Sequence, residues 1–158
     1  MFRTPDYNLK SSEYDSVYDP SEDSFILLDA LEADVDLIKS SNPSIIAEIG
    51  VGSGIVLTFI RNFLFPSPDE VGNSSDHGFT FTALSGGPLD GRSVINSALE
   101  NVAHILRPGG LFYIVTIAQN KPRQILQEVE QSGIFHGKIV LNRRAGIEHL
   151  YVLRLTKL

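Results

Sequence analysis

The chain has 158 residues, 42% hydrophobic and 20% charged, which suits one domain with a single core and argues against a two-domain enzyme. Nineteen acidic against thirteen basic residues give a formal charge of −6, which argues against a protein that coats nucleic acid through its bulk field. The lack of cysteine excludes disulfides, thiolate zinc sites and cysteine nucleophiles within the chain.

The amino-terminal residues, from Met1 to Asp6, have no apolar core segment of the kind that a secretory signal carries. No apolar run elsewhere approaches the roughly 20 residues that span a bilayer. We therefore expect a soluble protein with no membrane partner, located in the cytoplasm, with the nucleus as a second compartment.

The first predicted helix begins near residue 20. Asp19 can cap it, Pro20 suits its first turn, and Glu22 stands where a capping box places a carboxylate. Apolar residues then recur at helical spacing, namely Leu28, Leu31, Val35 and Ile38. Pro43 is expected to end any continuation.

A short apolar run closed by glycine, residues 44–49, is typical of a buried strand in a parallel sheet. Beyond the glycines, a helix is predicted over residues 55–65. One face of that helix carries Ile55, Phe59 and Phe63. Residues 66–92 are crowded with Pro, Gly, Ser and Asp, and only 79–84 alternate like a strand. Irregular stretches of this length are uncommon inside compact domains.

Regular structure is predicted again from Ser93, a candidate N-cap. The helix behind it has four apolar residues on one face: Ile95, Ala98, Val102 and Ile105. Residues 107–110, with a proline and two glycines, stop it. Residues 111–117 form the most strand-like run in the sequence.

The last elements are a helix over about 121–131 and two strands near 138–142 and 148–155. The helix places Ile125, Leu126 and Val129 inward and stops at Gly133. The short turn around Gly146 makes the two strands antiparallel. The chain is therefore predicted to be α/β.

The strongest chemical signal is Glu48-Ile49-Gly50-Val51-Gly52-Ser53-Gly54, between a predicted strand and a helix. Glycines let the backbone turn tightly and approach a ligand, and the helix start offers free N–H groups, so an anionic or polar ligand can bind. A dinucleotide fingerprint requires G-x-G-x-x-G and an acidic residue about twenty positions on. The pattern here, G-x-G-x-G with an acidic residue two positions before it, resembles class I S-adenosylmethionine-dependent methyltransferases. A glycine turn without a ligand is the alternative.

Residues 18–31, Tyr18-Asp19-Pro20-Ser21-Glu22-Asp23-Ser24-Phe25-Ile26-Leu27-Leu28-Asp29-Ala30-Leu31, together with the glycine segment, resemble a family in more detail. They are similar to the start of the eukaryotic and archaeal HemK-like release-factor glutamine methyltransferases, also called N6-adenine methyltransferases. Residues 86–92, 106–116 and 143–148 are similar to the family's second half. The resemblance implies a Rossmann-like class I methyltransferase sheet and S-adenosyl-L-methionine as cofactor. It assigns donor binding to Ser24, Glu48, Gly50, Gly52 and Gly54.

Several family features are missing from the sequence. These are the Asn-Pro-Pro-Tyr motif that binds the acceptor amide, an acidic residue that holds the ribose, and another near the adenine. Residues 63–65 are followed directly by 66–72, which resemble what normally follows that motif. We infer a single domain over 1–158 with an internal deletion near 65–67, an irregular segment at 66–92, and a loss of about three strands, on the order of 55 residues.

In the intact fold of the family that the sequence resembles, the fourth strand lies between the first and the fifth, so such a deletion leaves a gap in the centre of the sheet. We expect either that 44–49 pairs with 111–117 or that 79–84 fills the gap, because an unpaired central strand would expose backbone polar groups. The predicted fold is therefore a truncated sheet with an antiparallel pair of strands at its C-terminus.

The resemblance implies methylation of the glutamine in a Gly-Gly-Gln loop of a class I translation termination factor, together with a small zinc-binding activator protein. Without Asn-Pro-Pro-Tyr, the activity is expected to be impaired and no catalytic residue is assigned. The alternatives are a non-enzymatic remnant or regulatory isoform, or a methyltransferase acting on protein lysine or nucleic-acid adenine. A nucleotide-binding oxidoreductase is a weaker alternative. The four histidines, His77, His104, His136 and His149, lack metal-like spacing, so no metal site is expected.

Overall fold

The computed structural model describes residues 2–6, 17, 19–64 and 91–158. These residues belong to two compact units, 1–84 and 85–158, which are taken here one at a time as the first and second unit. The predicted strand 79–84 and residues 66–90 of the predicted irregular segment lie outside the described residues. The inferred single domain and its deletion near 65–67 stay predictions.

The first unit contains three helices: α1 (Glu22–Ala33), α2 (Val35–Ser40) and α3 (Ile55–Leu64). The predicted first helix is interrupted at Asp34, whose φ of −103° and ψ of 14° depart from helical values. Its N-cap is Ser21 rather than the predicted Asp19, and Ser21 makes no side-chain capping bond to the helix. Asn42, with a left-handed φ of 46°, and Pro43 follow α2, so the predicted end is confirmed.

The core of the first unit lies where α1 packs against α3. Its buried side chains include Ile26 and Leu31 of α1 and Phe59 and Phe63 of α3. The ring of Phe2 extends this aromatic cluster, with centroids 6.2 Å from Phe59 and 5.7 Å from Phe63. The predicted apolar face of α3 is confirmed, because Ile55, Phe59 and Phe63 are all buried.

The predicted buried strand at 44–49 is wrong. Only Ile49 forms an isolated bridge, and the side chains of Ile45 and Ile49 are 74% and 46% exposed. Among the described residues, the sheet that contains 111–117 has three strands, none of them from 44–49, so the predicted alternative in which these two segments pair is not found there. A strand of a parallel sheet is stabilised by the strands that pair with it on both sides. The β propensity of its own residues cannot replace those neighbouring strands.

The second unit contains two helices, a 3-10 turn and three strands. They are α4 (Arg92–Ile105), β1 (Leu111–Ile117), the turn Ala118–Asn120, α5 (Pro122–Ser132), β2 (Phe135–Ala145) and β3 (Glu148–Lys157). The strands form an antiparallel sheet in the order β1-β3-β2. The predicted strand 111–117, the C-terminal antiparallel pair and the stop at Gly133 are confirmed.

The core of the second unit lies between the sheet and the helices α4 and α5. Its buried members are Ile95, Val102, Ile125, Val129, Phe135, Leu153 and Leu155. Gly137 of β2 sits directly under α5, since a Cβ there would lie 2.7 Å from Leu126 Cδ2. A side chain at this position would therefore force the side chains of Leu126 and Leu155 to shift.

Two details of α4 differ from the prediction. Its N-cap is Gly91, at a left-handed φ of 62°, rather than Ser93. Ile105, placed on the buried face by periodicity, is 79% exposed because it ends the helix beyond the edge of the core. No helix of the described residues is long and apolar enough to cross a membrane.

The exposure of Ile45 generates a stability prediction. Ile45→Ala should change the free energy of unfolding by less than about 0.5 kcal/mol, because the side chain is largely in water. Leu153→Ala should cost about 2–5 kcal/mol, because it opens a cavity under the helices. Urea unfolding of both variants measures the difference. A loss at Ile45 as large as that at Leu153 would show that 44–49 is a core strand.

Candidate functional site

The candidate site is the glycine loop, residues 48–54, which leads into α3. Gly50, Gly52 and Gly54 all have positive φ, at 78°, 52° and 75°. Residues other than glycine rarely adopt this left-handed backbone conformation. The conformation of the loop therefore explains why glycine occupies these three alternating positions. A Cβ on Gly50 would meet no atom within 4 Å, so the loop is open to solvent on that side.

Short-range hydrogen bonds fix the end of the loop. The backbone N–H of Gly54 donates to the carbonyl of Val51 at 2.8 Å. The carbonyl of Gly54 accepts from the N–H and from the hydroxyl of Thr58, at 3.0 and 2.9 Å. These bonds set the direction of α3, which begins at Ile55.

Glu48 is held against the start of α3. Burial raises the pKa of its carboxyl from 4.5 to about 7, while a hydrogen bond from the backbone N–H of Leu57 acts in the opposite direction. Leu57 is in the first turn of α3, where backbone N–H groups lack helical partners. Glu48 therefore links the loop to the helix start.

Two polar atoms of the loop are buried without a hydrogen-bond partner among the described residues. They are Oε2 of Glu48 and Oγ of Ser53. Buried polar groups are rarely left unpaired, so these atoms have capacity for a ligand. A carboxyl oxygen accepts from ammonium or hydroxyl groups and a hydroxyl can donate or accept, which fits the polar groups of S-adenosylmethionine.

Ser24 is half-buried in the first turn of α1. Its backbone N–H donates to Oδ1 of Asp23 at 2.8 Å, and the same oxygen accepts from the hydroxyl of Ser21 at 2.7 Å. Within the described residues, no hydrogen bond joins Ser24 to the glycine loop. The structure thus brings together Glu48 and the three glycines, and the role of Ser24 stays a prediction.

Ser53 was not among the predicted site residues. Its position inside the glycine segment is the only sequence signal, because burial of its hydroxyl depends on how the loop folds. The sequence also gave no indication that Arg92, Asn120 and Lys121 line a common cleft in the second unit.

Comparison with known proteins identifies relatives over nearly the whole chain, although no protein-family model matches. Methyltransferase HEMK2 of Homo sapiens is 29% identical over 216 residues, covering 99% of this chain and 97% of the human protein. Its Mus musculus counterpart is 27% identical, covering 89% and 90%. The eRF1 methyltransferase catalytic subunit mtq2 of Schizosaccharomyces pombe is 24% identical, covering 100% and 97%. The resemblance to HemK-like methyltransferases is confirmed.

A solved structure supports the fold. It is the E. cuniculi Mtq2–Trm112 complex, responsible for methylation of the eRF1 translation termination factor. A chain of it matches with a TM-score of 0.57 and 18% identity, covering 90% of this chain and 99% of that chain. The predicted α/β methyltransferase fold class is confirmed. The described three-stranded sheet is partial relative to the full Rossmann-like core.

The pKa of Glu48 predicts a pH-dependent stability. Because the folded-state pKa is raised, this carboxyl stabilises the fold fully below about pH 4.5, and the contribution is lost as the pH rises through about 7. Glu48→Gln keeps a neutral side chain at every pH. Urea unfolding at pH 5 and pH 8 should show a smaller loss of stability in Glu48→Gln than in the wild type. Equal losses of stability in the wild type and in Glu48→Gln would contradict the raised pKa of Glu48.

Proposed function

We propose that this chain is a short form of an S-adenosylmethionine-dependent protein methyltransferase. Its acceptor is the glutamine of a Gly-Gly-Gln loop in a class I translation termination factor, and its transfer step is impaired. The observation that carries the proposal is the glycine loop, which keeps its left-handed glycines and contains two buried polar atoms, of Glu48 and Ser53, that have no partner among the described residues. The named eRF1 methyltransferase among the relatives supports the acceptor.

The residues of the loop have distinct parts in this proposal. Gly50, Gly52 and Gly54 let the backbone approach the donor closely, and Glu48 and Ser53 offer it hydrogen bonds. When bound, S-adenosylmethionine supplies an electrophilic methyl group. The chain's task is to hold the donor so that an acceptor nitrogen can approach in line.

The impairment follows from what the chain lacks. Asn-Pro-Pro-Tyr, which by resemblance anchors the acceptor amide, does not occur in the sequence. The alignment with human HEMK2 extends over 216 residues against 158 here, a difference of 58. That difference supports an internal deletion of the inferred size, about 55 residues by unit length.

The partners of the proposed enzyme are the termination factor and a small zinc-binding activator protein. The Mtq2–Trm112 complex supports a small activator partner, and zinc binding by that partner is what the family resemblance implies. The cytoplasm, with the nucleus as a second compartment, is part of the same proposal.

A second candidate is a non-enzymatic remnant or regulatory isoform. The exposed side chains of Ile45 and Ile49 favour it, because the first strand of a working methyltransferase sheet would bury them. Protein lysine and nucleic-acid adenine are the alternative acceptors of an active form.

The first prediction concerns the donor. The chain should bind S-adenosylmethionine weakly, because the ribose-holding carboxylate is missing. Gly52→Asp should weaken binding at least about tenfold, because it places a charged side chain on a left-handed residue of the loop. Titration calorimetry is the measurement. Gly146→Asp is the matched control, since Gly146 is also left-handed, at 58°, but lies in the β2–β3 turn. Equal affinities of the wild type and Gly52→Asp would contradict the proposed loop function.

The second prediction concerns transfer. Orientation of reacting groups is worth about 7–11 kcal/mol of barrier, and losing half of it slows a reaction roughly a thousandfold or more. The chain, given labelled donor, activator and release factor, should therefore methylate near background. A version with the missing segment grafted between Phe65 and Ser67 should be active. If the two versions methylate glutamine equally, the motif is dispensable and the impairment proposal fails.

A further inference from the structure

The second unit contains a polar cleft of its own. It has a volume of about 220 Å³ and is lined by Arg92, Asn96, Asn120, Lys121, Gln124 and Glu128. These residues come from the first turns of α4, the 3-10 turn after β1, the N-cap residue of α5 and the first two turns of α5. The volume suits one polar side chain of a partner rather than a whole cofactor, because cofactor pockets measure roughly 300–1,000 Å³.

Arg92 organises one wall of the cleft. Its guanidinium forms an ion pair with Glu128, donates to the backbone carbonyl of Asn120 at 3.0 Å, and donates to Oδ1 of Asn96 at 3.2 Å. The side chain is only 17% exposed. This network joins α4 to α5 and to the 3-10 turn. Because Arg92 already faces a carboxylate, its charge is largely neutralised inside the protein.

Lys121 is the cation of the cleft that remains available. Within the described residues, its ammonium has no ion-pair or hydrogen-bond partner, and the residue is exposed. Its backbone has a left-handed φ of 56°, and its N–H donates to the carbonyl of Ala118 at 3.0 Å. The backbone at the base of this side chain is therefore fixed by the junction between the 3-10 turn and α5.

The amide side chains add directional groups. Oδ1 of Asn96 is engaged by Arg92, so its NH₂ group has donor capacity. Gln124 donates to Oε1 of Glu128 at 2.9 Å, which leaves its carbonyl oxygen able to accept. The cleft thus combines one cation with amide groups of the kind that bind a carboxylate and an adjacent peptide N–H.

The charge of the second unit favours an acidic partner. Residues 85–158 contain nine basic and five acidic residues, a formal charge of +4 within a chain of −6. Such a local field attracts acidic segments and speeds their association. The Glu128 carboxylate at the cleft wall opposes a doubly charged phosphate more than a singly charged carboxylate.

We propose that this cleft binds an aspartate or glutamate side chain from an acidic segment of a partner protein, with Lys121 pairing the carboxylate and Asn96 donating to it. The site does not depend on the methyl donor or on the proposed transfer reaction.

The test uses the full chain and a fluorescein-labelled octapeptide, Gly-Ser-Asp-Glu-Glu-Asp-Ser-Gly, compared with its Asn/Gln counterpart and with an octathymidylate of DNA. Fluorescence anisotropy at about 50 mM salt gives the affinities, where surface charges are weakly screened. Lys121→Gln should weaken binding of the acidic peptide about tenfold, the loss typical of one charge-assisted hydrogen bond. Lys138→Gln is the control, since Lys138 is exposed on β2 and is not among the cleft residues.

The outcomes distinguish specific binding in the cleft from nonspecific attraction by the positive charge of the second unit. The proposal predicts binding of the acidic peptide, no binding of the neutral one, and a loss of less than twofold in Lys138→Gln. Side-chain NH₂ signals of Asn96 and Asn120 should shift in NMR spectra during the titration. Equal weakening by the two lysine variants, unmoved amide signals, or tighter binding of the oligonucleotide would overturn it. Thermal melting of both variants confirms that each is folded in the assay.

Discussion

The constraint on which this structure depends is that every strand needs hydrogen-bonding neighbours. In the second unit β3 meets it on both sides, pairing with β1 from Leu111↔Thr156 to Ile117↔Leu150 and with β2 over its full length. The sheet built around β3 then supports α4 and α5. In the first unit, residues 44–49 have strand-like composition, but only Ile49 forms a bridge.

The glycine loop keeps its conformation without a regular strand before it, because the hydrogen bonds of the loop join residues close in sequence. Gly54 with Val51, Thr58 with Gly54, and Glu48 with Leu57 all join residues fewer than ten positions apart. Local bonds cost little loop-closure entropy and do not require a complete sheet. The conformation of the glycine loop therefore does not require a regular strand at residues 44–49.

The same distinction explains what the sequence could predict. The hairpin of β2 and β3, the strand β1 and the buried face of α3 depend on periodicity and on neighbours close in sequence, and they were predicted correctly. The strand at 44–49 depends on distant partners, and no local pattern reports whether those exist. The caps at Ser21 and Gly91 shifted by two residues from Asp19 and Ser93, since several adjacent residues can cap equally well. Three of the predicted donor residues, Gly50, Gly52 and Gly54, share a left-handed backbone, which alternating glycines already suggest.

The exposed isoleucines of residues 44–49 have a consequence for the life of the protein in a cell. The run Ser44-Ile45-Ile46-Ala47-Glu48-Ile49 has high β propensity and a single charge, and no proline within it. An exposed segment of this kind can pair with strands of other unfolded chains, and chaperones and proteases recognise it.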